Sequence, residues 1–559
     1  MSALPLLKDV MSATRPYELV ELVTRLSSYN RIQGSRELIE ASEFIRASVE
    51  EVGKDVSVEV FGYGNPPKWL SPLVGWDLID GEVRVTHPER GVLSSINRAF
   101  TAVAAHSPPG EFSGRVSYAE SEDLIPDDVE VLLTSNRSLD MYFSAVKKGA
   151  KAVLMYRRDA PPRGVPYIGL FPTPDEAYEM KAPALCIPKG SAEKIKTLLS
   201  KGEKVVVEGF VKSTYSEPRE LRVITADFGN SEKEIHIVSH YCHPKGTVND
   251  NVSGAATSLY VARLLSKHLS KTTHILRGVK VRFVWVPEHY GSVALVRKLL
   301  EENVVILGAL NLDMIGEKQT LTNSVLNFIR PPVLLLSEFE AHAFKNFFTS
   351  LGTGWGLTTS SRKPLLRFEL KTYEAGSDHD AYVVFGIPAV SLTNWPDKFY
   401  HTNLDSIDKF SPINALKIAL TALRAALTFK PDEVPTDYYV GFVKSTEYFS
   451  LPPSLYRARQ NLYERRETCK AVKELAGYPS PQYLLRKVRD PEIRKEVRKF
   501  LNKASWAATA YIIASLYSSC GLDLSEIKKS LVAELGVKVE ESDLNTILKS
   551  IELLRNAAL

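Results

Sequence analysis

The chain has 559 residues, 44% of them hydrophobic and 24% charged, and carries a formal net charge of +4. It is too long for one hydrophobic core, so two to four domains are predicted. The charge is too small to make nucleic acid or an anionic membrane the main partner.

Other global features narrow the class further. Cys186, Cys242, Cys469 and Cys520 are scattered without a paired spacing, which fits a reducing compartment better than a disulfide framework. The first eleven residues lack a basic segment followed by an apolar run and a cleavage site, so a cytoplasmic location is predicted. The longest apolar run, 506–522, is interrupted by Thr509, Ser515, Ser518 and Ser519 and falls short of the roughly 20 residues that a membrane span requires. It is predicted to be a buried helix.

From 17 to about 53, Leu19, Leu22, Val23 and Leu26 form one helical stripe and Leu38, Ala41, Phe44, Ile45 and Val49 another, on two helices flanking a turn at 30–35. Residues 56–61 alternate as a strand, and Gly, Asn and Pro at 62–67 break it. Residues 1–65 are therefore assigned to the start of the main α/β domain, with a boundary after them.

Between 66 and 220 the texture is β-rich, with short runs at 82–85, 115–118 and 129–133. A helix from 139 is closed by Gly149 and followed at once by a buried strand, and a second strand and helix lie at 182–202. This order resembles the protease-associated domain, an insert found in several exopeptidases. Limited proteolysis is expected near Pro66 and Glu217.

From 221 to 430, strands alternate with long helices, the signature of a mainly parallel central sheet flanked by helices. Residues 221–228 and 234–239 read as a hairpin-like pair. A helix at 254–269, a strand at 279–286, a helix at 293–300, strands at 304–312 and 389–392, and a helix at 412–428 follow. Residues 431–559 read as a linker to about 453 and then as helices only. The basic run between Arg486 and Lys503 is interleaved with Asp490, Glu492 and Glu496, which makes it a solvated face. The apolar stripes of the last two helices call for packing on the catalytic domain or on another subunit, and a homo-oligomer is predicted.

Chemistry concentrates at strand ends, where ligands of open α/β sheets collect. The stretch 235–254 supplies His240, Asp250 and, as a further candidate, His243. Imidazole with carboxylate is the set a borderline divalent cation such as zinc prefers. The alternative is a loop histidine and a helix-capping aspartate. Four more stretches follow in order, carrying Glu288-His289, Asp313, Ser377-Asp378-His379 and Tyr400-His401 with Asp405. Asp313 lies inside an apolar strand, where an unpaired carboxylate is costly, so a nearby cation is the economical explanation.

These five blocks, in this order, resemble the co-catalytic zinc aminopeptidases, relatives of leucyl aminopeptidases, glutamate carboxypeptidase and glutaminyl cyclase. Within that group the chain is most similar to prokaryotic aminopeptidase-like proteins with C-H-P after the first histidine and P-E in place of E-E. The resemblance covers 221–428 and the N-terminal helices. It implies a zinc-dependent exopeptidase that hydrolyses N-terminal residues from peptides with a water held between metals. Two Zn²⁺ ions are implied, with a single ion, Co²⁺ or Mn²⁺ as variants.

By the same resemblance, His240 and Asp313 bind one metal, Asp250 bridges, His401 binds the second, and Tyr400 steadies the tetrahedral intermediate. Asp378, His379 and Asp405 support the ligands from behind, together with Cys242 and His243. Cys242 stands where an aspartate usually follows the first histidine, and His243 has no counterpart. The usual Glu-Glu pair is here Glu288-His289. Either Glu288 is the general base and His289 a metal ligand, which ligand chemistry favours, or Glu288 is the ligand and the base is missing. The alternatives are a glutaminyl-cyclase-like or deacylase activity on the same scaffold, or a catalytically weakened metal-binding scaffold acting through its helical tail.

Overall fold

The computed structural model describes residues 4–51, 56–61, 73–269, 278–351, 354–355, 362–363, 366–431, 459, 462, 491–501, 503, 505–536 and 539–558. The breaks expected at 62–67, the linker at 432–453 and the basic residues before 491 lie outside these.

The larger of its sheets has eight strands, in the order Val56–Phe61, Leu221–Phe228, Lys280–Val286, Lys233–His240, Val305–Leu312, Ala389–Trp395, Val325–Ile329 and Phe368–Lys371. Its centre is parallel, with Lys233–His240 between Lys280–Val286 and Val305–Leu312 and the latter pairing with Ala389–Trp395. After Lys233 every residue of Lys233–His240 is buried, as a strand covered by helices on both faces must be.

The expected hairpin does not form. Leu221–Phe228 runs antiparallel to Lys280–Val286, which lies between it and Lys233–His240. A buried strand needs a partner on each edge, and the helix Gly254–Leu269 is the crossover that delivers Lys280–Val286 in parallel.

One face of this sheet is covered by the N-terminal helices, Gly254–Leu269 and Pro412–Thr428. Ser35 caps the helix Arg36–Glu50 by accepting from the Leu38 N–H at 3.1 Å. The other face is covered by Tyr290–Glu301, by the short helix His379–Val384 and by helices from the C-terminal region.

A separate seven-stranded sheet is built from residues 75–216. It is antiparallel through Gly91–Ser95, Gly75–His87, Val206–Ser216 and Gly110–Tyr118, and parallel through Val131–Thr134, Ala152–Met155 and Ala184–Cys186. Gly149, at φ +95, ends the helix Leu139–Lys147 at the predicted place.

The C-terminal helices Pro491–Leu501, Ala507–Ser519, Leu524–Leu535 and Glu541–Ala558 are largely those expected. They pack on the eight-stranded sheet of the same chain. Tyr511, Ile513, Leu516 and Tyr517 share an apolar cluster with Val284, Leu295 and Val383. The Ala375 N–H donates to Thr509 Oγ1 at 3.0 Å and the Val333 N–H to Glu534 Oε1 at 2.7 Å. Lys495, Glu496 and Lys499 face solvent.

Cys520 is disulfide-bonded, its partner lying outside the described residues, while Cys186 and Cys242 are free. The reading of four unpaired cysteines therefore fails, and cysteine usage does not assign a compartment. Among the described residues no helix is long and apolar enough to cross a membrane.

Candidate metal centre

His240 ends a central strand, and Glu288-His289, Asp313 and Tyr400-His401 follow others, so four chain segments converge at one end of the sheet. His240 Nε2 lies 3.3 Å from Asp313 Oδ1 and 3.5 Å from Asp250 Oδ1. Across the same carboxylate, Asp250 Oδ2 is 2.9 Å from His401 Nε2 and 3.5 Å from His243 Nε2. Each oxygen of Asp250 thus faces a different group of donors.

Asp250 sits in the tight turn Asn249–Ser253. Asp405 holds this turn, its two carboxylate oxygens accepting the N–H groups of Asn249 at 2.8 Å and Asp250 at 3.0 Å. Asn251, not Asp250, caps the following helix, since its Oδ1 accepts from the Gly254 N–H at 3.0 Å. The same oxygen takes the Met314 N–H at 3.0 Å and so ties the Asp250 turn to the loop of Asp313. A Cβ on Gly254 would stand 2.1 Å from the Leu312 carbonyl oxygen, so only glycine permits this approach.

The loop after His240 is held from within by Arg31, a residue the sequence did not single out. Its buried guanidinium donates to the carbonyls of Tyr241 at 2.8 Å, Leu26 at 2.9 Å and Tyr29 at 2.8 Å. Burial lowers its pKa to about 10, which leaves it charged at neutral pH. Cys242 takes the place of the expected carboxylate, with Sγ 3.5 Å from His240 Nδ1 and 3.3 Å from His243 Nδ1.

The Glu288-His289 turn is fixed by Asp378, whose Oδ1 accepts from the His289 N–H at 2.9 Å and Ser292 Oγ at 2.6 Å. Glu288 Oε2 is 3.9 Å from His243 Nε2. His289, at φ +58, leads directly into the helix Tyr290–Glu301, and its Nε2 meets Glu288 Oε1 at 3.6 Å. Among the described residues, His289 belongs to none of the groups of ligand atoms lying within 4.8 Å of one another, whereas His243 belongs to two. This departs from the expectation that His289 is a ligand and His243 only a support. The left-handed backbone and the pinned N–H bring the His289 ring to Glu288. His379 bonds the Glu374 carbonyl at 2.9 Å and lies 3.4 Å from Asp380.

The β-rich unit contributes a wall that the sequence did not reveal. The Tyr167 N–H donates to the His401 carbonyl at 2.7 Å, and its ring lies 5.0 Å from His401 and 5.2 Å from His243. Arg157 donates to the Tyr400 carbonyl at 3.0 Å, and the Tyr400 ring stacks on His401 at 3.9 Å. A tyrosine and an arginine among Pro-rich connections carry no local signature of such a role.

Burial and the charges packed together set the electrostatics of the centre. Burial pushes Glu288 well above the carboxylate range, raises Asp250, and lifts Asp405 to about 8 and Asp378 to about 6. Burial also drags His243 and His289 down to about 3 and His401 well below its usual value. His240 goes the other way, because the carboxylates of Glu288 and Asp313 outweigh its burial. Although His240 Nε2 and Asp313 Oδ1 are buried 3.3 Å apart, neither makes a hydrogen bond. Buried atoms that converge on a common point could hold a cation, and neutral imidazoles with carboxylates are the donor set of a borderline divalent ion.

Residues 223–426 match the model of Peptidase family M28. Among curated proteins, a probable zinc metalloprotease of Pyrenophora tritici-repentis is 27% identical over 218 residues, which is 35% of this chain and 43% of that protein. The chain thus spans less than half the length of the curated relatives it matches. Among solved structures, a peptidase M28 precursor of Shewanella amazonensis matches with a TM-score of 0.55 at 16% identity, covering 78% of this chain and 97% of that one. A zinc aminopeptidase of Bacillus subtilis matches with a TM-score of 0.50 at 16% identity, covering 75% and 98%. At these identities the structural matches establish the fold.

Proposed function

We propose that the chain is a metal-dependent aminopeptidase that hydrolyses the N-terminal residue from peptides. The observation that carries this reading is the placement of Asp250, whose two oxygens face His240 with Asp313 on one side and His401 on the other. Divalent ions held there, most simply zinc, supply Lewis acidity toward the scissile carbonyl and acidify water at the site.

The chain's own residues do the remainder. His240 and Asp313 would hold one ion and His401 a second, with Asp250 between them. Glu288, 3.9 Å from His243, is the proton acceptor proposed for the attacking water, and it returns that proton to the leaving amine. Tyr400, stacked on His401, is the donor proposed for the carbonyl oxygen as its charge grows. Tyr167 and Arg157 pack beside His401 and Tyr400 on one side of the centre. The test is release of arylamine from aminoacyl-arylamides with and without a chelator. Chelator-sensitive release that returns on adding zinc is expected, and release indifferent to chelator would refute the reading.

A further inference from the structure

We infer that His243 is a ligand of the second metal and occupies the role that the Glu288-His289 turn fills in the sequence pattern. This rests on the metallopeptidase reading above and adds a residue that the pattern of motifs does not supply. The three nitrogen and oxygen atoms that converge beside Asp250 are His243 Nε2, His401 Nε2 and Asp250 Oδ2, with separations of 3.2, 2.9 and 3.5 Å. This is a ligand triangle, and His289 has no place in it.

The way His243 is held supports the same conclusion. It adopts φ +100, a conformation that is rare outside glycine and persists only where its surroundings enforce it. Its N–H donates to the Arg31 carbonyl at 3.0 Å, and the Arg31 guanidinium grips the carbonyl of Tyr241 on the same loop. The Cys242 thiol meets Nδ1 at 3.3 Å, so the imidazole is oriented through one nitrogen and presents the other toward Asp250, as ligating histidines are. Tyr167 packs across the ring at 5.2 Å. One backbone bond and two ring contacts therefore fix a residue whose Nε2 faces Asp250 and His401.

Two consequences follow. With His243 in that place, Glu288 is left for the proton-acceptor role proposed above. The second ion is held by two imidazoles and one shared carboxylate, a set that selects zinc or cobalt over the oxygen-preferring manganese and magnesium.

The test is titration of the metal-stripped full chain with Co²⁺, read by elemental analysis and by the visible spectrum, in the wild type, His243→Ala and His289→Ala. The wild type and His289→Ala are expected to bind two ions. His243→Ala is expected to keep one and to bind the second more than about 100-fold more weakly. His243→Cys guards against a folding defect, since a ligating thiolate adds a near-ultraviolet charge-transfer band that the wild type lacks. Two tight ions in His243→Ala, with loss of one in His289→Ala, would overturn the assignment of His243 while leaving the metallopeptidase reading intact. A wild type that binds no ion would overturn both.

Discussion

Glu288 is where the two roles open in the sequence make opposite demands on a single side chain. As a proton acceptor it is replaceable by glutamine without loss of metal, so Glu288→Gln is expected to keep its full metal content and lose about a hundredfold to ten-thousandfold in turnover. Near-normal turnover with full metal would remove Glu288 from the chemistry. The polar residues that the structure brings together were conspicuous in the sequence for one physical reason. His240, Asp313 and their fellows interrupt or end apolar strands, where an unpartnered charge is expensive. Which of two histidines turns toward Asp250 was not legible, because it depends on a left-handed residue at 289 and a pinned N–H, neither of which leaves a trace in composition. Arg31 was invisible for a similar reason. A buried arginine that serves only backbone carbonyls looks, in sequence, like an arginine on any surface turn.

At the scale of the element, the strand Lys233–His240 carries the metal site at one end and an ion cluster at the other. Glu234, 1% exposed, receives Lys280 Nζ at 2.5 Å and His236 Nε2 at 2.9 Å, with Arg282 Nη1 at 3.4 Å. Burial alone would raise its pKa, but the hydrogen bond and charge of His236, then Arg282 and Lys280, bring it from 4.5 down to about 2. Because the folded value is depressed, its stabilisation is complete above about pH 4.5 and is lost as the pH falls toward 2. Glu234→Gln is therefore expected to lower stability by up to about 3 kcal/mol at pH 7. In urea unfolding from pH 7 to 3.5, the gap from the wild type should narrow below pH 4.5. A gap constant across that range would show that the carboxylate is not held ionised. Long periodic elements such as Gly254–Leu269 and Pro412–Thr428 were readable from their apolar stripes alone. The hairpin was misread because strand adjacency is decided by a crossover that a local pattern does not encode. The strands Val325–Ile329 and Phe368–Lys371 were missed because short edge-side runs resemble loops.

For the molecule as a whole, the helical tail and the β-rich unit both converge on the catalytic sheet. The tail's apolar stripe, which suggested a second subunit, is covered within the chain by residues such as Val284 and Leu295, so it no longer argues for an oligomer. The β-rich unit reaches the centre through Tyr167 and Arg157, and a bridge pairs Pro166 with Thr402, next to His401. That contact couples the β-rich unit to His401, which is a reason to expect the unit to govern which substrates enter. All of this turns on one carboxylate shared by two donor groups. Elemental analysis of Asp250→Ala beside the wild type is the most direct measurement. The wild type is expected to retain up to two divalent ions per chain and the variant to lose tight binding at both positions. Equal metal content in the two proteins would contradict a centre built on Asp250.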